Sequence, residues 1–349
     1  MQTDVLSDVL RAVRMTGAVY FDFELRSPWV VEAPRSREIV GQVMPGAQRL
    51  IEFHLIARGS GWGHAIGDPP ERLREGDVLV FPHGDAHVLA SAPGLRAAPD
   101  MQAFARRSTP LPMFYELGGS GGERARIVCC FLGCDDQPFN PLLDALPSVV
   151  HLSSGRSDAD AEPLGTLLVM AAKEARSTRA GRENVLARLS ELLFVETIRR
   201  HLETLPPGAG WLAGLRDPTM ARALGALHAE PHQRWTVERL ARAVGLSRSV
   251  LAQRFTEMIG RPPMQYLALW RMQLASRLLL DRQPIAAVAS AVGYESEAAF
   301  SRAFKRLVGL PPASWRLVRP SYDLCPGAVP VRDGAALRTL EACSGGTTT

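Results

Sequence analysis

The sequence predicts an α+β multidomain chain: a strand-rich, barrel-like N-terminal half, a helical linker and an all-α C-terminal segment. Residues 1–150 hold short apolar runs broken by Gly and Pro, with no helix-length pattern between about 17 and 135. Towards the other end, nearly the same passage is written twice, LARAVGLSRSVLAQRFTEMIGRPP and VASAVGYESEAAFSRAFKRLVGLPP. Gly245 and Gly293 lie 48 residues apart, Gly260 and Gly309 lie 49 apart. A chain of 349 residues is also long for one core, so at least two domains are expected.

In the first half the strand candidates are Ala18–Phe23, Gln48–Ile56, Asp77–Phe81 and Arg126–Phe131, each rich in β-branched or aromatic residues and bounded by turn formers. A mainly antiparallel sheet or barrel follows from them. Residues 153–163 read as an exposed linker. Helical patterns come next at about 163–178 and 182–204, the second with apolar residues at three- and four-residue steps, and Pro206-Pro-Gly-Ala-Gly210 closes them. From 218 to 316 everything reads helical apart from Gly/Pro punctuation, and 320–349 reads as a disordered tail. The expected division is therefore 1–150, 151–210 and 218–316.

A hydrophobic share of 46% with 22% charged residues is ordinary for a soluble globular protein. No apolar run approaches the roughly 18–20 residues of a membrane span, and MQTDVLSDVLRAVRM lacks the basic-then-apolar order of a signal peptide. Five cysteines, an odd number, argue for a reducing cytoplasm rather than a disulfide framework. The net charge of +4 is unevenly spread: residues 218–316 carry 14 Arg/Lys against 6 Asp/Glu, leaving the remainder acidic. A basic segment on an acidic body points to a polyanionic partner for that segment.

Each copy of the repeat begins with a short amphipathic helix, Thr236–Val244 and Ile285–Val292. Thr236 suits an N-cap and Pro284 a helix start. A small residue, Ala241 or Ala289, sits four places before a glycine that supplies the sharp turn. The second helices are Arg248–Ile259 and Glu297–Val308, with apolar stripes Val250, Leu251, Phe255, Met258 and Ala299, Phe300, Phe304, Leu307. Two helix-turn-helix units (about 236–257 and 284–307) on a long connecting helix (264–281) can enter two successive major-groove segments of double-stranded DNA.

Residues 218–316 resemble the DNA-binding domain of the AraC/XylS family of bacterial transcription regulators, most recognisably in the string Gly293-Tyr-Glu-Ser through Phe300-Ser-Arg-Ala-Phe-Lys305 to Arg316. The resemblance implies that both second helices face DNA. By position, the base-reading candidates are Arg248, Ser249, Ala252 and Gln253, then Glu297, Ala298, Ser301 and Arg302. Gln253 suits adenine and Arg302 guanine or phosphate. Arg248, Arg254, Lys305 and Arg306 are candidate phosphate contacts, with a solvated face the equal alternative for Arg254 and Arg306. RNA polymerase is a further partner implied by the family, here as activator or repressor.

Gly76-Asp-Val-Leu-Val-Phe-Pro82-His-Gly84-Asp-Ala-His87 fits the second cupin motif through its histidine, so the barrel resembles a cupin. Upstream, Gly46-x5-Glu52-x-His54 resembles the first motif with Glu52 in place of its leading histidine, and the usual glutamate near Arg58 and asparagine near Ser91 are missing. Glu52, His54 and His87 could hold a divalent metal with open positions; an empty barrel with structural histidines is the equal alternative. His64 and His83 read as exposed. The whole chain is similar to the branch of the family with an N-terminal cupin of the RclR-like type, in which some members respond to oxidants or electrophiles through cysteines. Cys129, Cys130 and Cys134 are therefore redox candidates, against Asp135 and Asp136, which would raise a thiol pKa, and a strand that would bury a cysteine as a small hydrophobe. A small-molecule effector in the barrel is the other sensing option. The helices at 163–204 resemble linker and dimerisation helices, so a homodimer is open beside a plain helical cover. The rival reading is a metal-dependent cupin enzyme, a dioxygenase or isomerase, with an accessory DNA tether.

Overall fold

The computed structural model describes residues 4–13, 15–102, 113–119, 122–134, 138–153, 162–205, 208 and 210–318. The tail expected at 320–349, with Cys325 and Cys343, lies outside them, as do Asp135, Asp136 and most of the 153–163 linker. No described helix is long and apolar enough to cross a membrane.

The first half runs α1 (Val5–Ala12), β1 (Met15–Arg26), β2 (Val30–Ala33), α2 (Ser36–Val43), β3 (Arg49–Arg58), β4 (Ser60–Ala65), β5 (Glu71–Arg74), β6 (Val78–Phe81), β7 (His87–Ala90), β8 (Met113–Gly118), β9 (Arg124–Cys134), α3 (Pro141–Asp144) and β10 (Val150–Leu152). The four apolar runs read as strands lie within β1, β3, β6 and β9. Helix α2 corrects the strand-only reading of residues 17–135. Its eight residues bury only Ser36 and Ile39, too few to write a helical period into the sequence.

The strands form a six-stranded sheet, order β10-β6-β3-β9-β1-β8, and a four-stranded sheet, order β2-β7-β4-β5. The large sheet is antiparallel except where β8 runs parallel to β1. Its two faces meet different partners because side chains alternate along a strand. Leu50 and Ile56 of β3, with Ile127 and Phe131 of β9, pack inward with Leu73 and Leu89 of the small sheet. Ile51, Phe53 and Leu55, with Val128 and Leu132, pack outward against two helices, α4 (Glu162–Ala175) and α5 (Arg182–Thr204). Both faces are thus covered, which explains why these strands read as continuous apolar runs rather than alternating ones.

The C-terminal segment is α6 (Trp211–Arg216), α7 (Pro218–Ala229), α8 (Val237–Val244), α9 (Arg248–Ile259), α10 (Pro263–Leu280), α11 (Ile285–Ala291), α12 (Glu297–Val308) and α13 (Pro312–Val318). Side chains of Thr236, Ser247 and Ser296 cap α8, α9 and α12 by accepting the N–H three residues on. The two tight turns share one device. The N–H of Leu246 donates to the Ala241 carbonyl and that of Tyr294 to the Ala289 carbonyl, both at 2.9 Å, across glycines at φ 75° and 81°. At Gly293 a Cβ would sit 2.4 Å from the His232 carbonyl oxygen, so glycine is required there for space as well as for backbone angle.

Candidate nucleic-acid interface and barrel site

Helices α9 and α12 each bury one face and leave the other in solvent. Leu251, Phe255 and Ile259 go into the core from α9, and Phe300, Ala303 and Phe304 from α12. On the opposite side of α9, Arg248, Ser249 and Gln253 are exposed and Ala252 half-buried. On α12, Glu297, Ala298, Arg302, Lys305 and Arg306 are exposed and Ser301 half-buried. Several of these are already engaged. Arg248 Nε donates to Glu238 at 2.8 Å and Gln253 Nε2 to Glu257 at 2.8 Å, whereas Arg302 has no hydrogen bond or ion pair among the described residues.

Two positions depart from the sequence reading. Arg254 is half-buried, and its Nη2 donates at 3.0 Å to Asp217, the N-cap of α7. It therefore ties α9 to α7, which the sequence could not show because the pair spans 37 positions. Val250, placed in the apolar stripe, is 42% exposed. It lies in the first turn of α9 beside Ser249, where a branched apolar side chain can meet a thymine methyl; its exposure is the signal that periodicity missed.

The barrel interior holds the second site. Glu52 and His54 are alternate residues of β3 and so share its inward face, while His87 opens β7 on the facing sheet. The motif glycine Gly84 turns the chain into β7 at φ 61°, with its carbonyl accepting the Ser36 N–H. All three side chains are buried, and their ligand atoms lie within 4.8 Å of one another. Glu52 Oε2 is 3.8 Å from His87 Nε2, and the two imidazole centroids are 4.7 Å apart. Phe81 stacks on His87 at 3.8 Å and closes one side.

Burial drives all three groups towards their uncharged forms. The Glu52 carboxyl is pushed well above its ordinary range by desolvation, then by the Asp85 charge. Desolvation, helped by the neighbouring His87, holds His54 well below 6.5, and desolvation takes His87 down to about 4. Both shifts work against a salt bridge between Glu52 and His87. Both Glu52 oxygens, His54 Nε2 and His87 Nε2 have no hydrogen-bond partner among the described residues. Four orphaned polar atoms at one buried point are costly unless something polar joins them, and two imidazoles with a carboxylate are a donor set that iron(II) or zinc(II) accepts. The residues present fit a metal ion.

The other candidates fall elsewhere. His64 and His83 are half-buried rather than exposed, His64 because it lies inside β4 and His83 because its Nε2 sits 3.0 Å from the Leu146 carbonyl oxygen. Cys129, Cys130 and Cys134 are all buried on β9. Cys129 faces the barrel interior, while Cys130 and Cys134 face the helices. In an extended strand residues four apart are separated by about 13 Å, and adjacent residues point to opposite faces, so the three cannot cross-link to one another without dismantling β9. Desolvation, then the Glu52 charge, raises the Cys129 thiol well above its ordinary value, the opposite of an activated thiolate.

Comparison with known proteins adds to this geometry. A cupin family model matches residues 4–203, and a helix-turn-helix domain model matches residues 240–317. A Streptomyces lividans protein named as an AraC-like transcription regulator is 35% identical over 274 residues, covering 77% of this chain and 88% of that protein. The chain belongs to the AraC-type transcription regulators with an N-terminal cupin domain. The regulator AlkR of Acinetobacter baylyi is 33% identical, with 90% of this chain and 99% of that protein covered. RclR of Escherichia coli, an activator named as specific for RCS, is 23% identical, with 90% and 97% covered. The regulator thus stands among DNA-binding proteins rather than among cupin enzymes, with DNA as partner of its helix-turn-helix domain.

In this regulator the cupin half and the DNA-binding half share a buried seam. Gln273, in the middle of α10, donates from Nε2 to the Ala12 carbonyl of α1 at 3.1 Å and accepts the Phe139 N–H at 3.1 Å. His228 of α7 stacks on Trp270 at 4.0 Å, its Nε2 is 2.8 Å from the Tyr266 hydroxyl, and its Nδ1 is 4.0 Å from Asp8 of α1. A cleft of about 360 Å³ opens beside the seam, lined by Arg11, Met15, Arg188, Arg277 and Trp315 among others; Arg11 and Arg188 already pair with Asp8 and Glu191.

Proposed function

We propose that this transcription regulator uses its cupin barrel as the sensing half, with a divalent metal ion held by Glu52, His54 and His87, and reads its operator with α9 and α12. The observation that carries the proposal is the set of four orphaned polar atoms converging inside the barrel. A divalent ion supplies the positive charge that favours ionised Glu52 and engages the free imidazole lone pairs. Phe81, Phe131 and Leu79 keep water from the site. The strand β3 that carries Glu52 and His54 also carries Ile51 and Phe53 on its reverse face, so the site is backed directly by the packing against the outer helices. The packing around the histidines favours a small ligand over a bulky one, and the burial of the thiols weighs against direct oxidation as the sensing event.

On the DNA side, Gln253 and Arg302 are the base-reading residues, supported by their exposure, and Lys305, Arg306 and Arg248 position the helices on phosphates. Cytoplasmic location, contact with RNA polymerase and homodimerisation through residues 162–204 belong to the same reading by family analogy.

The test is metal analysis of the purified full chain with operator footprinting before and after chelation. About one zinc or iron per chain, with altered footprints on removal, supports the reading; a chain that takes up neither metal on reconstitution overturns it.

A further inference from the structure

A histidine that binds metal through one ring nitrogen needs its other nitrogen protonated and held. At His87 the structure supplies this plainly. Nδ1 lies 2.8 Å from the Asp85 carbonyl oxygen, which can only accept, so Nδ1 carries the proton and Nε2 presents its lone pair to Glu52. His54 fits the same sense: its Nε2 is an orphan like that of His87, and its Nδ1 is the nitrogen engaged by another group. The group waiting there is no carbonyl or carboxylate but the Cys129 sulfur, 2.9 Å away and across the β3–β9 pair, whose register sets His54 opposite Cys129. Cys129 is outside the three-residue cluster itself, and the strand fixes it on the interior face.

We propose that Cys129 is the positioning residue of the barrel site: its Sγ accepts the Nδ1–H of His54 and holds that imidazole in the tautomer and orientation in which Nε2 can bind a divalent metal. The inference rests on the metal reading above and goes beyond it in assigning the thiol. It accounts for a cysteine placed where a reactive thiol would be unreachable. Sulfur is a weak hydrogen-bond acceptor, and at 2.9 Å from Nδ1 it lies near enough to steer the ring.

The test uses the full chain, cobalt(II) and zinc(II). Cobalt titration followed by its visible absorption gives the affinity of the parent, of Cys129→Ala and of Cys129→Ser, each checked for an unchanged melting profile in chelator. Cys129→Ala should bind cobalt about 10–100-fold more weakly, and Cys129→Ser, which keeps an acceptor, should recover most of the loss. Independently of any variant, ¹⁵N spectra of the zinc-loaded parent should show His54 protonated at Nδ1 and metal-bound at Nε2. Metal bound through Nδ1, or a Cys129→Ala chain that binds cobalt as tightly as the parent, overturns the inference and leaves the metal reading intact. A parent chain that binds neither ion overturns both.

Discussion

Replacing Glu52 by methionine separates a structural role for the barrel cluster from a binding one. The side chain is fully buried, and neither oxygen has a partner among the described residues. Leaving a buried polar group unsatisfied costs about 1–3 kcal/mol, and methionine has a similar shape without the polar atoms. In the presence of chelator, Glu52→Met should therefore be more stable than the parent by about 1–3 kcal/mol. For a unit of this size that is a rise in melting midpoint of roughly 2–12 °C. With zinc at a hundredfold excess over its dissociation constant, the parent should gain about 2.7 kcal/mol, and the variant, short of the Glu52 carboxylate, should gain little. The order of the two melting curves thus closes or reverses on adding zinc. Thermal melts of both proteins with chelator and with zinc measure this directly. A variant that melts below the parent in chelator and still responds to zinc would show that Glu52 is a packing group, and the reasoning would fail.

The DNA interface gives two contrasting expectations. Arg302→Ala should cost about 1–3 kcal/mol of operator binding and leave binding to unrelated DNA nearly unchanged, read by gel shift on the footprinted site. Lys305→Ala should weaken binding across all sequences and reduce the salt slope by about 1, so an unchanged slope removes it from the phosphate contacts. Acid stability reports on the seam. His228 is buried, and desolvation lowers its pKa to about 3 from 6.5, so its neutral form is the folded one. A depressed pKa contributes stability fully present above 6.5 and lost as pH falls towards 3, roughly 2 kcal/mol of it by pH 5. His228→Gln should flatten that part of the profile, checked by urea unfolding at pH 7.5 and 5.0. Gln273→Leu leaves the Ala12 carbonyl and the Phe139 N–H without their partner, and should lower stability by about 1–3 kcal/mol for each group left unpaired, measured by the same unfolding experiment.

The sequence reached furthest where the determinant is local. Gly245 and Gly293 with their preceding alanines spell out the two turns, because the angle and the space are set within six residues. Likewise Pro82, Gly84 and His87 lie close enough in sequence to predict an inward histidine, and alternation along β3 puts Glu52 and His54 on one face. Non-local partners were illegible. Cys129 meets His54 across 75 positions, and Gln273 meets Ala12 across 261; neither spacing leaves a trace in composition or period. Surface versus stripe also failed at Val250, since a helix end protrudes beyond the body its middle packs against.

The hydrophobic interior is divided in an uneven place. Leu240, Val244, Leu251 and Phe255 of the first helix-turn-helix unit belong to the same apolar cluster as the outer face of the cupin sheet. Val288, Phe300 and Phe304 of the second unit form a separate cluster with Trp315 of α13 and the far half of α10. One reading head is thus welded to the body, and the other hangs from a beam clamped at Gln273. Because the two heads draw on different cores, a cavity cut at Phe255 should loosen the cupin half together with the first head, whereas one cut at Phe304 should loosen the second head alone.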